Sequence, residues 1–264
     1  MTSPARRFVI RRLLAAALSL TTVAPVAAAF ATEQPLAWQA SRQMVLVITP
    51  DWNADHGELR AYERSGNGWK PVVDAQAVTV GRAGSAWGIG LNAAQADGPQ
   101  KHEGDGRAAA GVYRVGEVFG YAAKADTRMP YEAMRDTDWC VDVDGSPYYN
   151  QIVDTKKVGE KAVEGASEPM RRDLHLDGDQ RYKIGFVIEH NAKGKAGGGS
   201  CIFAHLWKSP TDATAGCTAM PEPVMRRLLS WMKPEEQPVF VLLPQSEYER
   251  LQASWQLPSL GKQP

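Results

Sequence analysis

The sequence predicts a mostly-β domain with one or two packed helices. Short β-branched and apolar runs recur along the chain, Gly, Asn, Asp or Pro punctuates most of the gaps between them, and helical periodicity is sparse. The 24 glycines and 17 prolines follow no period, which suits many turns. At 264 residues and 44% hydrophobic, the chain is long enough to bury a real core in one domain of about 200–250 residues.

The elements follow in order. Met44–Thr49 is apolar and β-branched, a strand, and the alternating Leu59–Glu63 is a half-buried one, with Asp55-His56-Gly57 as the turn between them. Further strands are expected at Trp69–Val73, Ala77–Val80, Val112–Val115, Tyr182–Glu189, Ser200–Trp207 and Val239–Leu243. The clearest helix is Pro221–Lys233, opened by Pro221, stopped by Pro234, with Val224, Leu228 and Trp231 on one face. Residues 155–173 read as a charged surface loop, and Lys193–Ser200 as a flexible connector. There is no internal repeat and no dividing linker, so residues 32–264 are expected to form a single domain.

Residues 1–31 carry the marks of a cleaved secretory signal: Arg6, Arg7, Arg11 and Arg12, the apolar run Leu13–Leu20, and Ala29-Phe30-Ala31. Thr21, Thr22 and Pro25 break the run short of the ~20 apolar residues a span needs, so no stable membrane span is expected after cleavage. The expected location is the periplasm. Formal charge is zero for the whole chain, but cleavage leaves 26 basic against 30 acidic residues. Neither balance suits a nucleic-acid binder working through bulk charge. In an oxidising compartment Cys140, Cys201 and Cys217 cannot all pair within the chain, so one has a reason to stay free.

Cys217 is the candidate for that role. Thr214-Ala215-Gly216-Cys217 leads towards the helix at Pro221, where a helix N-terminus would favour thiolate over thiol. Gly216 permits a tight turn that offers amide N–H groups to an oxyanion. His205 ends the apolar strand twelve residues upstream and is the candidate base. A small buried cysteine and a satisfied histidine are the competing reading of the same pair. His190, ending the strand Tyr182–Glu189, is a second candidate base. Reading Cys217, His205 and His190 as metal ligands finds no support, since no C-x-x-C, H-x-x-H or H-E-x-x-H spacing occurs, and no cofactor is expected.

These residues resemble the catalytic signature of the L,D-transpeptidases (YkuD-like domains): a strand-end histidine, a loop, then S/T-x-G-C and a hydrophobic residue. Ile202–His205, Thr214–Cys217 and Met220 carry the match, and Glu103-Gly104-Asp105-Gly106-Arg107 through Gly111-Val112-Tyr113 is similar to the family's upstream G-D-G-x-T-P-x-G-x-F/Y segment. Together the matches cover roughly residues 44–243. The departures are Ala215 where the family has histidine, Ala219 where it has arginine, Leu206 for the glycine after the strand-end histidine, and Ala108-Ala109 for Thr-Pro. They mark a divergent branch. The resemblance implies a mixed β-sandwich-like fold and acyl transfer on peptidoglycan stem peptides. In it, Cys217 is the nucleophile, His205 the base, backbone N–H groups of Ala215, Gly216 and Cys217 hold the oxyanion, and Thr214 supports them. Crosslinking, hydrolysis by water, and binding without chemistry all remain open on the sequence, as does the oligomeric state.

Arg107 could replace the missing arginine in holding a substrate carboxylate, and Tyr149, near Cys140, could line a cleft. Cys201 lies four residues before His205 on the same strand face, so a Cys140–Cys201 disulfide would brace the site. Three free thiols are the alternative.

Overall fold

Among the described residues of the computed structural model, Met1 and 35–260, thirteen strands and four α-helices follow one another. Apart from Met1, the expected signal segment lies outside the described residues. The strands are β1 (Gln43–Thr49), β2 (His56–Ser65), β3 (Gly68–Thr79), β4 (Ser85–Trp87), β5 (Ala108–Gly120), β6 (Tyr131–Ala133), β7 (Asp138–Cys140), β8 (Ile152–Asp154), β9 (Glu168–Pro169), β10 (Ile184–Ile188), β11 (Phe203–Leu206), β12 (Thr218–Met220) and β13 (Val239–Pro244). The helices are α1 (Thr155–Val158), α2 (Arg172–His175), α3 (Glu222–Trp231) and α4 (Gln245–Leu251).

The chain is mostly β, as expected, but its main sheet closes into a barrel instead of splitting into a sandwich. Eight strands run in the order β10-β11-β12-β3-β2-β1-β13-β5, and β5 returns to pair with β10. One long strand makes the closure. Gly111–Arg114 of β5 pairs with β13, and Val115–Gly120 pairs with β10.

Every residue of β1 and β13 is buried, and the two pair in parallel from Met44–Val239 to Thr49–Pro244. With one face in the barrel and α4 packed on the outside, neither strand needs a polar face. That is why Met44–Thr49 shows no alternation, whereas the half-exposed β2 does. On α3, Val224, Met225, Leu228 and Leu229 are buried against the core.

Four local expectations need correction. The turn after β1 lies at residues 50–55, where Asp51 Oδ1 accepts the N–H groups of Asn53 (2.7 Å) and Ala54 (3.0 Å), so His56 already belongs to β2. Trp69–Val73 and Ala77–Val80 merge into the single strand β3, because β2 offers a continuous partner. Residues 155–173 are not a plain loop. Asp154 caps α1 by accepting the Lys156 N–H (3.0 Å), and β9 and the start of α2 follow. Helices are also more numerous than the one or two foreseen.

Residues 121–183 form an insertion between β5 and β10 that carries a second sheet, β8-β7-β9. A Cys140–Cys201 disulfide ties β7 of this cap to the segment entering β11. Closing a 61-residue separation, the bridge is expected to contribute about 2–5 kcal/mol by restricting the unfolded chain. Cys140→Ala should therefore lower urea-denaturation stability by that order. The denatured, unreduced wild type should titrate one thiol, that of Cys217.

Candidate functional site

β11 and β12 pair in parallel with Ala204 opposite Thr218, His205 opposite Ala219, and Leu206 opposite Met220. Side chains two apart on a strand share a face, so His205 and Cys217 lie on the same side of this pair. Both are buried, at 4% and 7% exposure.

The loop before Cys217 is tightly held. Thr214 donates its N–H to the Val80 carbonyl (2.8 Å), and its own carbonyl accepts from Arg82 N–H (2.8 Å). Its hydroxyl donates to the Cys217 carbonyl (2.7 Å) and accepts the Gly216 N–H (3.1 Å). Gly216 has φ +155°, and a Cβ there would come within 3.0 Å of the Arg107 carbonyl. The two sequence segments that carry the family resemblance therefore touch at this point.

Cys217 does not sit at a helix N-terminus. β12 intervenes, and α3 starts only at Glu222, so the expected dipole activation is missing. Sγ–H donates to the Cys201 carbonyl (3.5 Å), Sγ accepts the Phe203 N–H (3.3 Å), and no hydrogen bond joins it to the imidazole. Burial, reinforced by the Glu168 carboxylate, pushes the thiol up from its ordinary 9.0 to about 12.

His205 Nδ1 lies 2.8 Å from the Leu206 carbonyl, which can only accept. That assigns the proton to Nδ1 and leaves the lone pair on Nε2, the tautomer a base requires. Burial, with Arg181 and Arg172 nearby, lowers the imidazole from 6.5 to about 4. At neutral pH both the thiol and the imidazole therefore rest uncharged.

The other expected residues serve as framework. His190 is 1% exposed, donates from Nε2 to the Gly198 carbonyl (2.9 Å) and accepts the Ile89 N–H at Nδ1 (3.2 Å), so neither nitrogen is free to act as a base. Burial lowers it, too, to about 4. The Arg107 guanidinium donates to the carbonyls of Trp52 (2.9 Å) and Ser85 (3.0 Å) and to Asn53 Oδ1 (3.1 Å), which ties it to the framework around β4. Tyr149 is buried rather than lining a cleft. Its hydroxyl donates to Glu103, which also accepts from Ser200 Oγ (2.6 Å), and this anchors the entry to β11. Ala215 is exposed at the loop apex.

Comparison with protein-family models, curated proteins and solved structures finds no match. The functional reading therefore rests on the site itself.

Sequence reasoning missed the cap's contribution. Met134, Cys140, Met170 and Tyr182 share a buried cluster with Phe203, Cys201 and Cys217. Tyr182 packs edge-on to His205, with ring centroids 5.2 Å apart, and donates its hydroxyl to Glu168 Oε1 (2.9 Å). The i, i+4 spacing of Glu168 and Arg172, which form an ion pair at 2.5 Å, was the one available signal, hidden in a stretch that reads as loop. Beside these residues a cleft of about 870 Å³ is lined by Arg172, Asp179, Arg181, Leu206, Trp207 and Lys208. It reaches the neighbour of His205 but not His205 or Cys217.

Unfolded imidazoles bind protons below about 6.5, whereas folded His190 and His205 do so only near 4. Their contribution to stability is therefore complete above pH 6.5 and is lost as pH falls towards 4. The loss is roughly 1.4 kcal/mol per pH unit for each histidine. Urea denaturation at pH 7, 6 and 5 should show this slope, and His205→Gln should remove about half of it.

Proposed function

We propose that the protein is an exported, periplasmic cysteine acyltransferase of L,D-transpeptidase type acting on peptidoglycan stem peptides, with the barrel as its catalytic fold. The observation that carries this reading is the parallel β11–β12 pair. It puts a free cysteine, and a histidine with its lone pair on Nε2, on one face behind a rigid Thr214–Cys217 loop.

In the reaction, the Sγ–H proton passes to His205 Nε2 as Sγ attacks the carbonyl carbon of a stem peptide. The C–N bond breaks, and His205 returns the proton to the leaving amine, which leaves a thioester on Cys217. An amine of a second stem, or water, then resolves the thioester. The Gly216 N–H is engaged by Thr214 Oγ1, so the amides of Ala215 and Cys217 are the donors for the oxyanion. Each well-placed donor is worth roughly 3–4 kcal/mol. The cap covers Sγ in the resting state and must withdraw for a stem to enter from the adjoining cleft. Mature net charge is mildly acidic, which favours recognition in that cleft over adhesion to an anionic wall by bulk charge.

The burial of Cys217 favours a second reading, a module that binds peptidoglycan without chemistry. Incubation with purified disaccharide-tetrapeptide separates the two. Intact-protein mass spectrometry should show a stem-peptide adduct on the wild type and none on Cys217→Ala. An adduct that survives the substitution, or a wild type that binds but never acquires one, overturns the transferase reading. Dimeric products identify crosslinking, and shortened stems identify hydrolysis.

A further inference from the structure

We propose that Tyr182 is the positioning residue for His205, and that the ion network Glu168–Arg172–Asp179–Arg181 behind it keeps the imidazole aimed and uncharged. This rests on the acyltransferase reading and names the residues that hold the His205 ring in one orientation and one tautomer.

The contacts run without a gap from the site into the cap. The Tyr182 ring is 3% exposed and packs edge-on to His205 (5.2 Å), Phe203 (5.6 Å) and Phe119 (5.6 Å). It closes one side of the imidazole, while the Nδ1–H bond to Leu206 holds the other. The Arg172 guanidinium lies 5.0 Å from the centroid of the Tyr182 ring. Arg172 pairs with Glu168 (2.5 Å) and Asp179 (2.9 Å), and Asp179 also takes Arg181 (2.6 Å). Burial opposes ionisation of Asp179, yet hydrogen bonds from Arg181 and Arg172 hold it well below the usual carboxylate range. Two guanidiniums and two carboxylates are thus locked together within the cap.

The charged groups facing His205 are Arg172, Asp179 and Arg181 from the cap. Tyr182 lies against its ring, and the Cys217 thiol shares its face of the β11–β12 pair. On α3, Glu222 is spent on Lys183 (3.0 Å) and Arg226 (2.5 Å). Burial is the main reason the imidazole stays uncharged; the Arg181 and Arg172 guanidiniums add to it, and Asp179 opposes them. A base so placed starts with its lone pair free, and the imidazolium formed when Nε2 takes the thiol proton is poised to release it to the leaving amine.

Histidine nitrogen NMR on the full-length, substrate-free protein tests this directly. Wild-type His205 should show the neutral Nδ1–H form at pH 6 and titrate below pH 5. Arg172→Met should raise its midpoint, since the guanidinium disfavours the imidazolium. Arg172→Lys should largely restore it, and Asp179→Asn should not raise it. Tyr182→Phe should keep the single tautomer and Tyr182→Leu should lose it, with the Cys140–Cys201 bridge intact in both. A wild-type midpoint near 6.5, an unmoved midpoint in Arg172→Met, or a fixed tautomer in Tyr182→Leu overturns the proposal. These signals need no substrate. If they appear while no stem-peptide adduct forms, the acyltransferase reading falls and the positioning role stands.

Discussion

The parallel pairing of β11 with β12 runs for three residue pairs only, and the site depends on it. Parallel neighbours cannot be joined by a tight hairpin, so the chain must leave His205, cross over and return through the Thr214–Cys217 loop before pairing again. That return is held in place by Val80 and Arg82 on one side and by the Arg107 carbonyl against Gly216 on the other. β12 then meets β3 through Ala219 and Thr79, the narrowest joint in the barrel wall. Closing the barrel and bringing Cys217 and His205 to the same side of this strand pair are one structural event.

The same closure hides what it places. The cap brings apolar side chains and the Glu168 carboxylate over Cys217, and both keep sulfur protonated. Held as a thiol, Cys217 does not compete for the neighbouring Cys140–Cys201 bridge, because thiolate is the attacking form in disulfide exchange. The disulfide lies in the same buried cluster and ties the cap to the segment entering β11, so covalent bracing and burial of the free thiol share one region.

Much of this was readable in the chain. β1, β13 and α3 have long apolar runs or clear helical spacing, and they fold close to where the sequence puts them. The odd cysteine count pointed to Cys217 as the free one. β12 escaped notice because three residues, Thr218-Ala219-Met220, are too few to show alternation, and its absence from the reading led to the expectation of helix-dipole activation. The cap escaped because its helices are a single turn and its strands two or three residues long, held by capping and ion pairs rather than by a periodic apolar face. Arg107 and His190 were plausible by residue type, but their partners, Trp52, Ser85 and Gly198, lie in segments that sequence spacing does not connect.

By itself the sequence determined a mostly-β domain, a strand carrying His205, and a Thr-x-Gly-Cys loop leading to the unpaired cysteine. These follow from local turn chemistry and apolar patterning. The tertiary structure alone decided that the sheet closes into a barrel, that the cap covers the thiol, and that the pair rests uncharged. Closure depends on one strand bending to serve two partners. Charge state depends on burial and on guanidinium and carboxylate groups brought from a distant insertion, and neither leaves a trace in the spacing of His205 and Cys217.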